Sequence, residues 1–517
     1  MPDLIIKNAD IITMDPGHPG AGAMAVKGGR ILALGREEEI MARRTAHTLV
    51  LDLDGKALCP GFIDAHLHFR AMAESFIDVD LSPGSGIRCI GDIRRRIEEE
   101  AKKTPEGGWI RAAGYDETDL AELRHPNRLD LDPVSGSHPV KLTHRSTYAH
   151  VLNGKALEAA GIHCHTDDPA GGIIERDLET GDPTGVVFNL GAFLNERIPG
   201  IDDDGLARGV DSANRELLSV GITSFQDASV RNDGTRFRWF LDLKKRSLLV
   251  PRVMMMTGYE SRSGCETLAA QLPAPSGVSL GGVKIIIDET TGKIFPCRKD
   301  LDRMVLSLFR RGVQAVIHAI EETAIAAALE AFGKALSRFP DSVHGSRIEH
   351  CSVCPPDLCR KIADLGIMVV THPAFIYYNG DRYLKTVPAH QSPHLYPISL
   401  LLENGVAVAA GSDGPLVKAD PLSGIYGAVT RMTRMGKILP GGRGISAVEA
   451  LGMYTVQAAR AGVEQSRKGS LSIGKYADFI VLSANPLKVS PDTIKGISVE
   501  MTFVDGELAW SRESGEK

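Results

Sequence analysis

Eight short apolar runs, each followed by a helix-like stretch, constrain this chain more than any other feature. They are ALCPGFIDAHLHF (57–69), GITSFQDAS (221–229), LVPRVMMMTG (249–258), GVKIIID (282–288), GVQAVIHAI (312–320), SRIEHC (346–351), GIMVVTHP (366–373) and GVAVAAGSD (405–413). Strands of a parallel sheet are covered on both faces, so they read as near-continuous apolar runs. The segments between them carry helical periodicity, as in the Ala-, Leu- and Glu-rich 322–337. Eight such β/α units predict an α/β fold, a (β/α)8 TIM-like barrel over 58–464.

The ends of the chain read differently. Residues 1–57 and 465–517 are short apolar runs broken by Gly, Asp and Asn, as short antiparallel strands are. Two β-rich ends around a barrel predict a small composite β-sandwich domain built from both termini. The stretch from His68 to Gly221 is too long for a βα loop, so an inserted subdomain is expected over about 80–205. Its interior mixes short strands, Pro turns and a helical 152–160.

Charge and composition narrow the function. The net charge is −6 with no long basic run, which argues against a nucleic-acid partner, since phosphate binding needs clustered Lys and Arg. No stretch of ~18 apolar residues predicts a membrane span, and the N-terminus has no leader pattern. Eight cysteines in 517 residues are too sparse for a disulfide framework, so free thiols in a cytoplasmic protein are expected. A small-molecule substrate is the expected partner.

The polar residues at the strand ends carry the chemistry. Barrel active sites lie at the C-terminal ends of the strands. His66 and His68 close the first run, and residues two apart on a strand share a face. Lys284 sits inside Gly-Val-Lys-Ile-Ile-Ile-Asp, and a lysine in an apolar strand must pair, neutralise or be modified. His318, His350 and Asp413 end three further strands. Five strands thus deliver ligand-type side chains to one mouth.

The order HxH, Lys, His, His, Asp resembles the amidohydrolase superfamily, and the likeness runs along nearly the whole chain. Pro-Gly-Phe-Ile-Asp-Ala-His-Leu-His resembles its first-strand signature. Gly-Lys-Tyr-Ala-Asp-Phe-Ile-Val-Leu and Phe-Val-Asp-Gly-Glu resemble its returning β segments. The large insert, Val-Ile-His-Ala-Ile, Arg-Ile-Glu-His-Cys and Gly-Ser-Asp-Gly-Pro resemble the amidohydrolase 3, or YtcJ-like, branch. The resemblance implies one or two divalent ions, Zn²⁺ before Mn²⁺, Fe²⁺ or Co²⁺. It implies that His66, His68 and Asp413 hold the more buried ion and that His318 and His350 hold a second. Lys284 would take up CO₂ to become a carboxylated, bridging ligand, which also removes the burial problem. Asp413 would move the proton from water to the leaving amine. A homodimer is implied as well.

The reaction expected is hydrolysis of an amide-type C–N bond in an N-acyl or N-formyl amine, an N-acyl amino acid or a carbamate. Ester or phosphotriester hydrolysis, ring deamination, isomerisation and a non-catalytic scaffold are the alternatives. In the insert, 143–157 resembles the branch's substrate-proximal segment, where a His commonly stands five residues before the Asn. Tyr148 occupies that position here, so Tyr148 or Arg145 is expected either to meet the substrate or to serve the insert's structure. Asp288, Glu289, Thr290 and His372 are further candidates for the pocket wall. His163-Cys164-His165 reads as an exposed loop, Cys351, Cys354 and Cys359 as free thiols without a matching second pair, and Gly281-Gly282 and Gly441-Gly442 as loop punctuation.

Overall fold

In a computed structural model of the chain, residues 1–517 are described except 19, 170, 272–276, 290–292, 341–344 and 516–517. The eight apolar runs form eight parallel strands: β1 (Phe62–Leu67), β2 (Ile222–Asp227), β3 (Arg252–Gly258), β4 (Val278–Ile286), β5 (Ala315–Ala319), β6 (Arg347–His350), β7 (Met368–Thr371) and β8 (Val408–Ala410). Each pairs in parallel with the next in sequence, so the sheet runs in order from β1 to β8. Helices alternate with the strands, among them Glu322–Arg338 between β5 and β6. That helix buries Ala324, Ile325, Ala328, Leu329, Phe332 and Ala335, a stripe spaced three and four residues apart that lies on the sheet.

The sheet closes between its first and last strands. Asp413 N donates to His66 O at 2.7 Å and His68 N donates to Gly414 O at 2.9 Å. This close approach requires Gly411, because a Cβ there would sit 2.6 Å from His66 Cβ and 2.7 Å from His66 N. The seam therefore places the HxH pair against Asp413, from the two ends of the barrel sequence.

The first apolar run is two strands. Ala57–Pro60 leaves the barrel and pairs with Phe479–Leu482 in a five-stranded sheet that also holds Asp10–Ile11, Val499–Val504 and Glu507–Ser511. A four-stranded sheet from the N-terminal residues faces it, with Leu4, Ile6, Met24, Leu58, Phe479 and Phe503 packed between. The composite sandwich is thus present, but two of its pairings are parallel, against the antiparallel expectation: Leu4–Lys7 with Leu49–Asp52, and Asp10–Ile11 with Ala57–Pro60. The reason is that the chain makes the same double pass twice. Each pass bends at a left-handed residue, Asn8 (φ 50°) or Asp54 (φ 49°), and continues into the second sheet in the same direction. Gly281 and Gly282 also depart from expectation. They lie inside β4, where a Cβ on Gly282 would strike Val316 Cγ2 at 2.7 Å.

Two compact units result. One comprises Met1–Phe69 and Asn214–Lys517; the other is Arg70–Ala213. The second contains a six-stranded mixed sheet with its own core, including Ile93, Ile97, Leu131, Leu142 and Val151. Among the described residues, no helix is long and apolar enough to cross a membrane.

Candidate metal centre

The polar strand-end residues of the barrel unit converge. His66 Nε2 and His68 Nε2 lie 3.5 and 3.2 Å from Asp413 Oδ1, and His350 Nδ1 lies 4.0 Å from Asp413 Oδ2. The rings of His66 and His350 are 4.9 Å apart, and those of His318 and His350 are 4.2 Å apart. His350 and Asp413 both adopt left-handed backbone conformations, φ 70° and 56°, where the strands turn into their loops. Such strain persists only where surrounding structure holds it in place, and it collects at functional positions.

Hydrogen-bond partners fix which nitrogen of His66 and of His350 is bare. His66 Nδ1 contacts Glu349 Oε2, so Nδ1–H donates to the carboxylate and the Nε2 lone pair is left toward Asp413. Glu349 is itself held by Arg347 Nε at 2.6 Å, and both side chains are fully buried. Arg347 in turn donates to Gln226 Oε1 and the carbonyls of Ala461 and Ala65. A second relay runs through His372. Gly411 O can only accept, so His372 Nδ1 donates to it at 2.9 Å. The neutral His372 Nε2 then accepts from His350 Nδ1 at 2.8 Å. His350 Nε2 is left with its lone pair and, though buried, has no hydrogen-bond partner. Histidines that ligate metals are oriented in this way by the partner of the other ring nitrogen.

Electrostatics agree with neutral rings around an ionised carboxylate. Burial, with Lys284 second, drives His66 well below its ordinary range, and the same two causes lower His318 to about 3. Burial would raise Asp413. The hydrogen bond with His68 and the nearby His66 outweigh it and hold the carboxyl well below the usual carboxylate range. Lys284 is 2% exposed, and its Nζ has no hydrogen-bond partner. Burial lowers its pKa to about 8, so the uncharged share of the amine near neutral pH is far greater than in an ordinary lysine. Bare imidazole lone pairs, one carboxylate and an orphaned amine lacking acceptors fit a divalent cation and a lysine able to add CO₂.

Asp288 follows β4, exchanges backbone hydrogen bonds with Phe295 (2.8 and 2.9 Å), and lines a cavity of about 580 Å³ shared with His318 and Glu289. Thr290 lies outside the described residues. Arg145 and Tyr148 belong to the Arg70–Ala213 unit. There Arg145 Nη1 pairs with Asp116 Oδ2 at 3.2 Å, and Tyr148 is 39% exposed with its ring 6.2 Å from Phe188. The 163–165 triplet is exposed, and Cys351, Cys354 and Cys359 are buried free thiols. Sequence reasoning missed Glu349, Arg347 and Asp64, whose Oδ1 accepts from the backbone N–H of His66 and of Ser412 at 3.0 Å each. The signal was available. Each is a charged residue within a buried strand, the argument already made for Lys284.

Comparison with known proteins agrees with this geometry. The profile of the amidohydrolase family matches residues 49–509. An N-substituted formamide deformylase from Arthrobacter pascens is 30% identical over 99% of both chains. The putative amidohydrolase YtcJ of Bacillus subtilis is 24% identical over 95% of this chain and 96% of its own. A solved structure of an uncharacterised metal-dependent hydrolase from Pyrococcus furiosus superposes with a TM-score of 0.74 at 23% identity, covering 94% of this chain and all of the other. A barrel closed by the HxH–Asp413 seam, ligand-type residues at its mouth and a profile match across nearly all of the sequence lead to one assignment: the chain belongs to the amidohydrolase family of metal-dependent hydrolases acting on carbon–nitrogen bonds.

Proposed function

We propose that the chain hydrolyses the amide C–N bond of a small N-acyl or N-formyl amine, using a divalent centre held by His66, His68, His318, His350, Asp413 and carboxylated Lys284. The observation that carries this reading is the wiring of the mouth: the bare Nε2 of His66 points at Asp413, the bare Nε2 of His350 is buried without a partner, and so is the Lys284 amine. The relative named as a formamide deformylase supports the choice of amide. Zn²⁺ suits imidazole and carboxylate donors best.

A bound divalent ion supplies Lewis acidity at the substrate carbonyl and lowers the pKa of water toward ~7. The protein moves the protons. Asp413, ionised and buried at the seam, accepts a proton as water attacks the carbonyl carbon. It returns that proton to the amide nitrogen as the C–N bond breaks, so a carboxylate and an amine leave. The closed seam and the buried histidines fix Asp413, so little reorganisation accompanies the transfer.

The test combines metal analysis with a substrate panel. The purified protein should contain bound divalent metal, lose activity on chelation, regain it with Zn²⁺ or Mn²⁺, and prefer amides to esters and phosphotriesters. Lys284→Ala should lose metal and recover part of it with a short-chain carboxylic acid. A chelator-indifferent enzyme, or one that prefers phosphotriesters, would refute the proposal.

A further inference from the structure

The cavity that begins at His318 has a wall whose chemistry is uneven. Ile286 and Ile320 are large apolar side chains left 38% and 39% exposed, and both line it. Among the described lining residues, Asp288, Glu289 and Glu321 are set against one lysine, Lys293. The backbone pairing of Asp288 with Phe295 fixes the segment that carries the first two acids beside the end of β4. At about 580 Å³ the cavity is of the size that takes a small organic ligand.

From this we infer that the cavity holds the non-reacting part of the substrate and sorts amides by charge. Uncharged or cationic amides with a branched or aromatic apolar substituent are accepted, and amides that carry a carboxylate are rejected. The inference rests on the amide-hydrolase reading and narrows it, because N-acyl amines and N-acyl amino acids differ by that one group. Two isoleucine side chains kept at the surface beside the reacting centre offer apolar area to a ligand. Among the described lining residues three carboxylates outnumber one ammonium, which gives the wall a negative potential, and a ligand carboxylate brought against it would pay desolvation with at most Lys293 as a partner. The acids already crowd one another: burial, then Glu321 and Asp288, raise the pKa of Glu289 above its ordinary value.

A matched pair of substrates tests this. N-(3-methylbutyl)formamide and N-formyl-leucine share a skeleton and differ by the carboxylate. With the metal-loaded full chain, kcat/KM for the uncharged formamide should exceed that for N-formyl-leucine by at least about tenfold, since like charges face each other only in the second complex. Glu321→Lys changes an exposed residue and should narrow that ratio several-fold, while Glu289→Gln should narrow it less. Equal or better turnover of N-formyl-leucine, or a ratio that both variants leave unmoved, would overturn the charge selection. If neither formamide is cleaved, the proposed reaction is what fails. Calorimetric binding of the same two compounds then still decides the selection, by preference for the uncharged one or its absence.

Discussion

Among the described residues, groups of three or more histidine and carboxylate ligand atoms, all within 4.8 Å of one another, occur in two regions of this molecule. At the barrel mouth they are His66, His68 and Asp413, with His350 and His372 alongside. In the Arg70–Ala213 unit they are Asp116, Glu117 and His144. By proximity the two regions are equals, and by proton placement they are opposites. At the mouth, Glu349 and the Gly411–His372 relay occupy the outer ring nitrogens and leave Nε2 of His66 and His350 bare. In the other unit, the backbone N–H of Ser146 donates to His144 Nδ1 at 3.1 Å. The proton of that ring is therefore on Nε2, which lies 2.8 Å from Glu117 Oε2 but makes no hydrogen bond with it. Asp116 is taken as well, by Thr118 N, Thr118 Oγ1 and Arg145. A cation finds bare imidazole lone pairs in the first group; in the second, the His144 Nδ1 lone pair is already taken and Nε2 carries the proton. What the partners do with the second ring nitrogen, more than the count of nearby ligands, distinguishes a metal site from a polar cluster.

The contrast is broken most forcefully at Asp413. Asp413→Asn preserves shape and hydrogen bonding but cannot take the water proton. Turnover should fall by about 10²–10⁴-fold or more while the melting temperature stays close to that of the parent. Turnover within a few-fold of the parent would remove Asp413 as the proton carrier. Glu349→Gln comes next. It withdraws the anion that sets the His66 tautomer and leaves Arg347 buried without its counter-charge. Metal affinity should drop by about 10–100-fold, and stability by up to ~3–5 kcal/mol because a buried charge loses its partner. Competition titration with a chromogenic chelator reads the first effect and denaturant unfolding the second; undiminished affinity would show that Glu349 does not orient His66. At His372 the effect should be smaller and should separate by chemistry. His372→Leu abolishes the relay and should weaken metal retention by about tenfold. His372→Gln, whose amide can donate to Gly411 O and accept from His350, should recover much of it. Equal behaviour of the two variants would mean the residue only fills space.

These relays also show where sequence reasoning stopped. The eight strands were legible because a buried parallel strand leaves an unbroken apolar run, and the composite sandwich because Gly- and Asn-broken runs recur at both ends. The residues at the mouth were legible because polar groups ended runs that were otherwise apolar. Glu349 was in view, inside Arg-Ile-Glu-His, yet nothing local joins it to His66, 283 residues away. The link exists only once β1 and β6 belong to the same closed barrel. The parallel pairing of Leu4–Lys7 with Leu49–Asp52 was hidden for a similar reason. Periodicity marks a strand but carries no direction, and the direction followed from a double pass bent at Asn8 and Asp54.

The smallest expected effect is the sharpest test of the comparison. His144→Ala and Glu117→Gln each remove a would-be ligand from the Arg70–Ala213 unit. If tautomers decide, neither variant should change the metal bound per chain. The pair is partly exposed, so losing it should cost no more than about 1 kcal/mol of stability. Metal analysis beside His66→Ala, which must lose metal, gives the contrast in one experiment. A His144 variant that gave up an equivalent of metal while the barrel ligands were intact would mean that the Ser146 N–H yields His144 Nδ1 when a cation arrives. Proximity alone would then have been the better guide to both regions.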